Sequence, residues 1–412
     1  MFFVQFAFNS PHLPLALNLC FLFLMKLTII DILDQLTLAE RVLLGAFLFV
    51  YLCRMYYLVF FTGRSVFRGK KEVIVNEKPT QPVSVLLTVR NEEENLKRLL
   101  PQLLTFNSVK YEVIAVDDYS LDSTYSVLGS FRQKFPYFKI SSLNEETRFS
   151  AKLAQNIALK AAQNEWVLLL PVDASEVTPD WLGGFAVNTT THNRKVMVAY
   201  TGIEPAPGWY NLMCRIENFE QQIRSAGFIA NGISFIYFEE NVAFRKKEYF
   251  DIGGYGKKTK EPYANLELII NQFISKKNTV LLLNQYTSLR RRIKTEKDDY
   301  LNLLQRSYRI ERYLPKWKRF FLGFETFTQV LYLPFLLTVL FVFFDLWPFL
   351  AGLAGLIIIA RIIMIKIIQN RLNERKIFIP SLVYGVFISY FKLFYRWYFS
   401  GTSRNNKWRI KV

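Results

Sequence analysis

Residues 42–61, "VLLGAFLFVYLCRMYYLVFF", form an apolar run with a single charge, Arg54. A helix of about twenty such residues spans the hydrocarbon core of a bilayer, where no water can satisfy an open backbone. Two further runs, at about 327–344 and 349–368, read the same way, the last with Arg361 and Lys366 near its end. Only Asp345 to Pro348 separates them, so they are expected to form a tight helical hairpin. Positive residues mark the cytoplasmic ends of spans. Here Arg64, Arg68, Lys70 and Lys71 follow the first run, Lys316, Lys318 and Arg319 precede the second, and Arg371, Arg375 and Lys376 follow the third. The intervening region, about 65–320, is therefore predicted to be cytosolic, in a protein of the inner or plasma membrane. This placement also accounts for the net charge of +18, from 52 basic and 34 acidic residues. The excess sits beside the spans, so the partner it implies is a membrane surface and not nucleic acid.

Residues 377–399 are aromatic-rich but carry Lys392 and Arg396. A crossing there would leave the basic tail (Arg404, Lys407, Arg409, Lys411) outside, so an in-plane or re-entrant helix is expected, with a further span as the alternative. The apolar residues 1–24 lack a basic n-region and a small-residue cleavage site, so no cleaved signal peptide is expected. They could instead be an extra span or an extension ahead of a natural start at Met25. Cys20, Cys53 and Cys214 have neither disulfide-framework nor zinc spacing. His12 and His192 stand alone, which excludes a histidine-based metal site or a Ser–His–Asp triad.

The expected organisation is a membrane region at 1–64, a cytosolic domain at 65–299, an interfacial amphipathic helix at 300–324 and a C-terminal membrane region at 325–412. Within the cytosolic part, "PVSVLLTVRNEEENLKRLLPQLL" (82–104) reads as a strand and then a helix. "YEVIAVDDYSLDST" (111–124) is a buried strand ending in paired aspartates, and residues 150–173 are a helix leading to a third strand. Strand–helix alternation with acidic residues at strand ends predicts a mostly parallel sheet whose ligand crevice lies at the carboxyl ends of the strands. The Gly-rich phosphate loops of dinucleotide-binding and P-loop proteins are absent.

These segments, in this order, resemble the family 2 glycosyltransferases, and among them the membrane-bound, processive or lipid-acting branch, over roughly residues 80–320. The resemblance implies an α/β cytosolic domain of GT-A (nucleotide-diphospho-sugar transferase, Rossmann-like) fold with flanking transmembrane helices. By the match of "VSVLLTVRNEEENL" and "EVIAVDDYSLDST", Thr88, Arg90, Asp117 and Asp118 would line the nucleotide pocket, with Lys152 near the donor; a capped turn without ligand is the alternative for the aspartates. The family's DxD motif falls on Val172 and Ala174, with Asp173 between them. Asp173, with Glu176 as a second oxygen ligand, would be the metal residue for a divalent cation (Mg2+ or Mn2+); the alternative is a loop that binds no metal. The family's Glu-Asp base pair falls on Ala264 and Asn265, which leaves Glu267 as the nearest candidate catalytic base, or else a structural residue. QxxRW survives as Gln305 and Arg306, with Tyr308 and Arg309 at its last two positions. Arg309 would face the leaving diphosphate, unless this helix simply rests on anionic lipid. The implied function is a membrane-anchored inverting glycosyltransferase, moving a sugar from a nucleotide-diphospho-sugar donor to a lipid or glycan acceptor in polysaccharide or glycolipid biosynthesis. The alternative is a non-catalytic homologue that binds a nucleotide sugar or a partner transferase.

Overall fold

The structure, a computed structural model, describes residues 36–68, 81–107, 109–146, 150–190, 193–374 and 376–402. The expectations for residues 1–24, for Lys70, Lys71 and Arg375, and for the basic tail lie outside the described residues. The chain divides into two compact units, one holding the described residues 36–54 and 328–352, the other 55–327 and 353–402.

In the first unit, helix α1 (Leu38–Tyr56) opens with a reciprocal cap. The Thr37 amide donates to Glu40 Oε2 at 2.9 Å and the Glu40 amide to Thr37 Oγ1 at 3.4 Å, which satisfies donors a helix start otherwise leaves open. Phe47, buried, stacks on Tyr332 with ring centroids 6.4 Å apart.

The second unit begins where α1 runs into a π-helical turn (Tyr57–Thr62) and α2 (Gly63–Arg68). The chain then alternates between strand and helix: β1 (Val83–Val89), α3 (Glu93–Leu103), β2 (Tyr111–Asp117), α4 (Thr124–Lys134), β3 (Phe138–Ser142), α5 (Ser150–Ala161) and β4 (Trp166–Leu169). The strand expected as the third is thus the fourth, with α4 and β3 in addition to the segments read from the sequence. Leu96, Leu99, Leu100 and Leu103 form the buried face of α3 at the spacing of one helical stripe. After α6 (Pro179–Ala186) come β5 (Val196–Ala199), β6 (Thr201–Ile203), α7 (Trp209–Asn231), β7 (Val242–Arg245), α8 (Lys246–Asp251), α9 (Glu267–Phe273), β8 (Thr279–Leu282) and β9 (Leu289–Arg291). The helices α10 (Lys297–Tyr313), α11 (Lys316–Val342), α12 (Trp347–Arg371) and α13 (Phe378–Thr402) are the last elements among the described residues.

The main sheet has the order β3-β2-β1-β4-β7-β5-β8. It is parallel from β3 to β4, as expected, but β7 runs antiparallel to both β4 and β5. Entry into β7 is set by Asn241, buried and in the left-handed region at φ 61°, which Asn tolerates better than most residues. Its side chain donates to the carbonyls of Tyr200 and Thr287, each at 2.9 Å, and accepts from Trp181 Nε1 at 2.8 Å. Those bonds place Glu239 and Glu240 just outside the strand. A two-stranded parallel sheet of β6 and β9 lies apart.

Four helical stretches among the described residues are long and apolar enough to cross a membrane: Leu38–Val66, Lys316–Val342, Phe344–Arg371 and Phe378–Trp397. In the last, the polar residues engage α7 and α10: Lys392 Nζ lies 2.6 Å from Glu217, Tyr384 donates to Glu217 at 2.6 Å, and Arg396 lies 2.5 Å from Glu311. Ile379, Val383, Phe387 and Phe394 stay exposed.

Candidate active site

The cavity of interest opens at the carboxyl ends of β1 and β4, the position where open α/β sheets hold ligands. It measures about 310 Å³, and Thr88, Arg90, Asp118, Asp173, Glu240 and Arg291 supply polar groups to its wall. That volume is at the lower end of the range for small-molecule sites.

Local bonding explains why the two strand-end loops meet. Asp118 donates its amide to Val89 O at 2.8 Å, continuing the β1–β2 ladder past the strand. Asn91, at φ 53°, accepts from the Leu121 amide at 2.8 Å and donates its own amide to Ser120 Oγ at 2.9 Å. The Glu92 amide reaches Thr124 Oγ1 at 2.8 Å. Asp117 is turned inward and accepts from the Ser120 hydroxyl, so it braces the turn while Asp118 faces the cavity. Replacing Asp118 by Ala should therefore weaken nucleotide binding by about 1–3 kcal/mol, the cost of one lost hydrogen bond to a buried partner. Asp117→Ala should instead act through the turn and lower stability. Calorimetry with UDP and GDP, beside thermal unfolding, separates the two effects.

The opposite wall is built by the loop after β4 and by β9, which run side by side. Ala174 and Arg291 form an antiparallel bridge, the Ser175 amide donates to Arg290 O at 2.8 Å, and the Arg292 amide to Asp173 O at 2.8 Å. This stitching brings the Arg291 guanidinium onto Asp173 as a fork. Nε donates to Oδ1 and Nη2 to Oδ2, each at 2.8 Å. The remaining terminal nitrogen, Nη1, donates to Glu240 Oε1 at 2.8 Å. From α10, Arg306 reaches the same Glu240 oxygen at 3.2 Å and Glu267 Oε1 at 2.9 Å. Burial alone would raise the proton affinity of Glu240, but Arg306 and Arg291 hold its pKa down at about 2. Glu239 beside it goes the other way. Burial, and then the charges of Glu267 and Glu240, push its pKa up to about 8. Its oxygens accept from Gln155 Nε2 at 2.9 Å, Asn265 Nδ2 at 3.2 Å and the Leu266 amide at 2.7 Å.

The structure thus gathers Thr88, Arg90, Asp118 and Asp173 around one cavity, with Asp117 behind them. Lys152, Glu267, Gln305 and Arg309 do not line it. Lys152 is buried and donates to Glu261 O at 2.5 Å, because α5 turns Ala151 and Gln155 to the cavity instead. Glu267 is fully buried at the start of α9 and held by Arg306, so it is a structural carboxylate there rather than an accessible base. Gln305 is buried, and the Arg309 guanidinium lies over the Tyr263 ring at 5.7 Å. Sequence reasoning passed over Glu239, Glu240, Arg291 and the role of Arg306. The acidic pair preceding "NVAFR" and the basic run "LRRR" were visible, but nothing local joins them.

The donor set does not suit the expected divalent cation. Both oxygens of Asp173 already accept N–H groups, and Glu176 does not line the cavity. Among the described residues no cluster of three or more His, Cys, Asp or Glu side chains could hold a metal.

Residues 84–250 match the family model described as glycosyl transferase family 2. Among curated proteins, the chain is 34% identical over 92 residues to the poly(ribitol-phosphate) beta-N-acetylglucosaminyltransferase TarS of Staphylococcus aureus (strain MW2), over 22% of this chain and 16% of that protein. It is 26% identical over 123 residues to the human dolichyl-phosphate beta-glucosyltransferase, over 27% of this chain and 38% of that one. The chain thus spans well under half the length of these relatives. Among solved structures, the mannosyltransferase PcManGT from Pyrobaculum calidifontis, in complex with GDP-Man and Mn2+, is similar at TM-score 0.49 and 17% identity, over 84% of this chain and 97% of that one. The segment that forms β1 to β7 and most of the cavity wall, residues 84–250, is thus the part of this chain that is similar to glycosyl transferase family 2.

Proposed function

We propose that this protein is a membrane-anchored, inverting glycosyltransferase that moves a sugar from a nucleotide-diphospho-sugar to a lipid or glycan acceptor at the cytoplasmic membrane face. The observation that carries the reading is the cavity itself, in which Asp118 and Arg90 on one wall face Asp173 and Arg291 on the other. A single displacement at the anomeric carbon needs positive charge at the departing diphosphate and a base at the acceptor hydroxyl. Arg291 lines the cavity and supplies the charge. Glu239 is the base: it lines the same cavity, which Glu267 does not, and its burial beside Glu267 and Glu240 raises its pKa to about 8. Below that pH Glu239 holds a proton and cannot accept another, so the rate should rise with pH up to about 8. Glu239→Gln should lower transfer by roughly a hundredfold or more while leaving nucleotide binding within a few fold. The test is turnover of UDP- and GDP-sugars by purified protein in detergent, across pH.

One observation favours the second reading, a non-catalytic subunit that binds a nucleotide sugar: the carboxylate nearest the family's base position, Glu267, is shut away from the cavity. Nucleotide binding without turnover of any donor would select that reading.

The membrane arrangement is also a proposal, supported by the four apolar helices and by Arg64, Lys316, Lys318 and Arg319 at span ends. Helix α13 lies in the membrane plane, its polar residues on α7 and α10 and its apolar stripe toward lipid. A cysteine placed at Trp347 should be labelled from outside intact cells and one placed at Asn278 should not. The reverse pattern would overturn the orientation.

A further inference from the structure

We propose that the Arg291 guanidinium takes the place of a divalent cation in this site, so that the nucleotide diphosphate binds to it directly and without metal. The inference rests on the nucleotide-sugar reading above and deepens it.

Three observations carry it. Asp173, the strand-end carboxylate where a metal would be expected, has both oxygens occupied by the fork of Arg291. A cation approaching Asp173 would have to sit against a fixed positive charge. The other acidic groups at the wall are also committed. Glu239 accepts on both oxygens, and Glu240 Oε1 is shared by Arg291 and Arg306. Glu240 Oε2 has no partner, but one oxygen between two guanidiniums does not make a cation site, since Mg²⁺ keeps an octahedron of oxygen ligands.

The second observation is the posture of Arg291. A guanidinium carries five N–H donors in a planar fork that matches phosphate oxygens. Here Nε and one N–H from each terminal nitrogen hold Asp173 and Glu240. The second N–H of each terminal nitrogen is left for a ligand. The side chain lines the cavity and keeps 26% of its surface exposed, which is enough for a diphosphate to reach it. It is also preorganised, because the Ala174 bridge and the bonds from Ser175 and Arg292 fix the backbone on either side. A charge held in place before the ligand arrives loses little to reorganisation.

The third is the second guanidinium. Arg306 stands behind Glu240, is held by Glu240 and Glu267, and has its Nη2 buried without a hydrogen-bond partner. Arg306 thus takes a share of the Glu240 charge, so that this carboxylate is not neutralised by Arg291 alone.

The experiment is calorimetry on the full chain in detergent, with UDP and GDP as probes, in EDTA and then with Mg²⁺ or Mn²⁺. The expected result is a Kd in EDTA within about threefold of that with metal. Arg291→Gln should weaken binding in EDTA by about tenfold or more. Because it also uncovers Asp173 and Glu240, Mn²⁺ should then recover part of the lost affinity, so the variant becomes metal-dependent. Arg291→Lys keeps a charge but loses the fork, and should fall between the two. Thermal unfolding of each variant shows whether it has folded. Wild-type binding at least tenfold tighter with metal than in EDTA would overturn the proposal while leaving the nucleotide-sugar reading standing. So would wild-type affinity in folded Arg291→Gln and Arg291→Lys. Absence of binding to either nucleotide under every condition would remove the nucleotide-sugar reading, and this proposal with it.

Discussion

Arg306→Leu should destabilise the α/β domain by about 3–5 kcal/mol, the usual cost of removing one partner from a buried ion pair. Glu267, with no exposed surface, would be left as an unpaired buried carboxylate, its Oε1 having lost the bond at 2.9 Å. Glu240 would keep only Arg291. The stacking of the guanidinium over the Phe238 ring, 5.1 Å from its centroid, would go as well. Chemical denaturation of the detergent-solubilised protein reads the loss. The double variant Arg306→Leu with Glu267→Leu supplies the control, since it removes both charges and leaves no uncompensated ion. It should recover more than half of the lost stability. A double variant no more stable than Arg306→Leu alone would show that the pair is not what Arg306 contributes.

Glu374→Ala should cost a similar amount, about 3–5 kcal/mol, and should also weaken nucleotide binding. Glu374 follows the cytoplasmic end predicted for α12, and its side chain is 1% exposed. Its carboxylate pairs with Arg290 at 2.9 Å and Arg215 at 3.3 Å, and accepts from the Tyr200 hydroxyl at 2.9 Å. Arg290 in turn donates to Asn373 O at 2.7 Å, satisfying a carbonyl just past the helix, where Asn373 takes the left-handed conformation common at such ends. Without Glu374, β9 loses its one ionic tie to the segment after α12 and keeps only the bonds of Arg290 to backbone carbonyls there, and β9 is the strand that presents Arg291. The link to binding is what distinguishes this from a local defect. Glu374→Gln retains hydrogen bonding and should lose less of both properties. Gly202→Ala attacks the same place from the other side. A Cβ there would stand 2.5 Å from Glu374 Oε1 and 3.0 Å from Arg290 Nη1, so the network must shift. Stability lost with nucleotide affinity unchanged would break the proposed link between the end of α12 and the site.

Much of the architecture is local and therefore legible in the chain. The seven-residue runs of β1 and β2 and the leucine stripe of α3 act over spans of a few residues, and each becomes the element its pattern predicts. The apolar runs become long helices for the same reason: backbone hydrogen bonding within a segment does not wait on the rest of the fold. The candidate site was legible on one wall only. Thr88, Arg90 and Asp118 stand at the ends of adjacent parallel strands, and strand order alone brings them together.

The other wall was decided by tertiary structure. Asp173 and Arg291 are separated by 118 positions, Glu240 and Arg306 by 66, Glu267 and Arg306 by 39. A carboxylate in a sequence is equally a metal ligand, a base or half of an ion pair, and burial together with the nearest partner determines which. For Asp173 the partner is a guanidinium carried in by β9; for Glu267 it is one carried in by α10. The sequence by itself determined that this chain makes long apolar helices around a strand–helix sheet with a polar crevice at its strand ends. Which charges meet in that crevice depended on long-range packing, because electrostatic pairing is set by distance in space and desolvation, neither of which a linear pattern encodes.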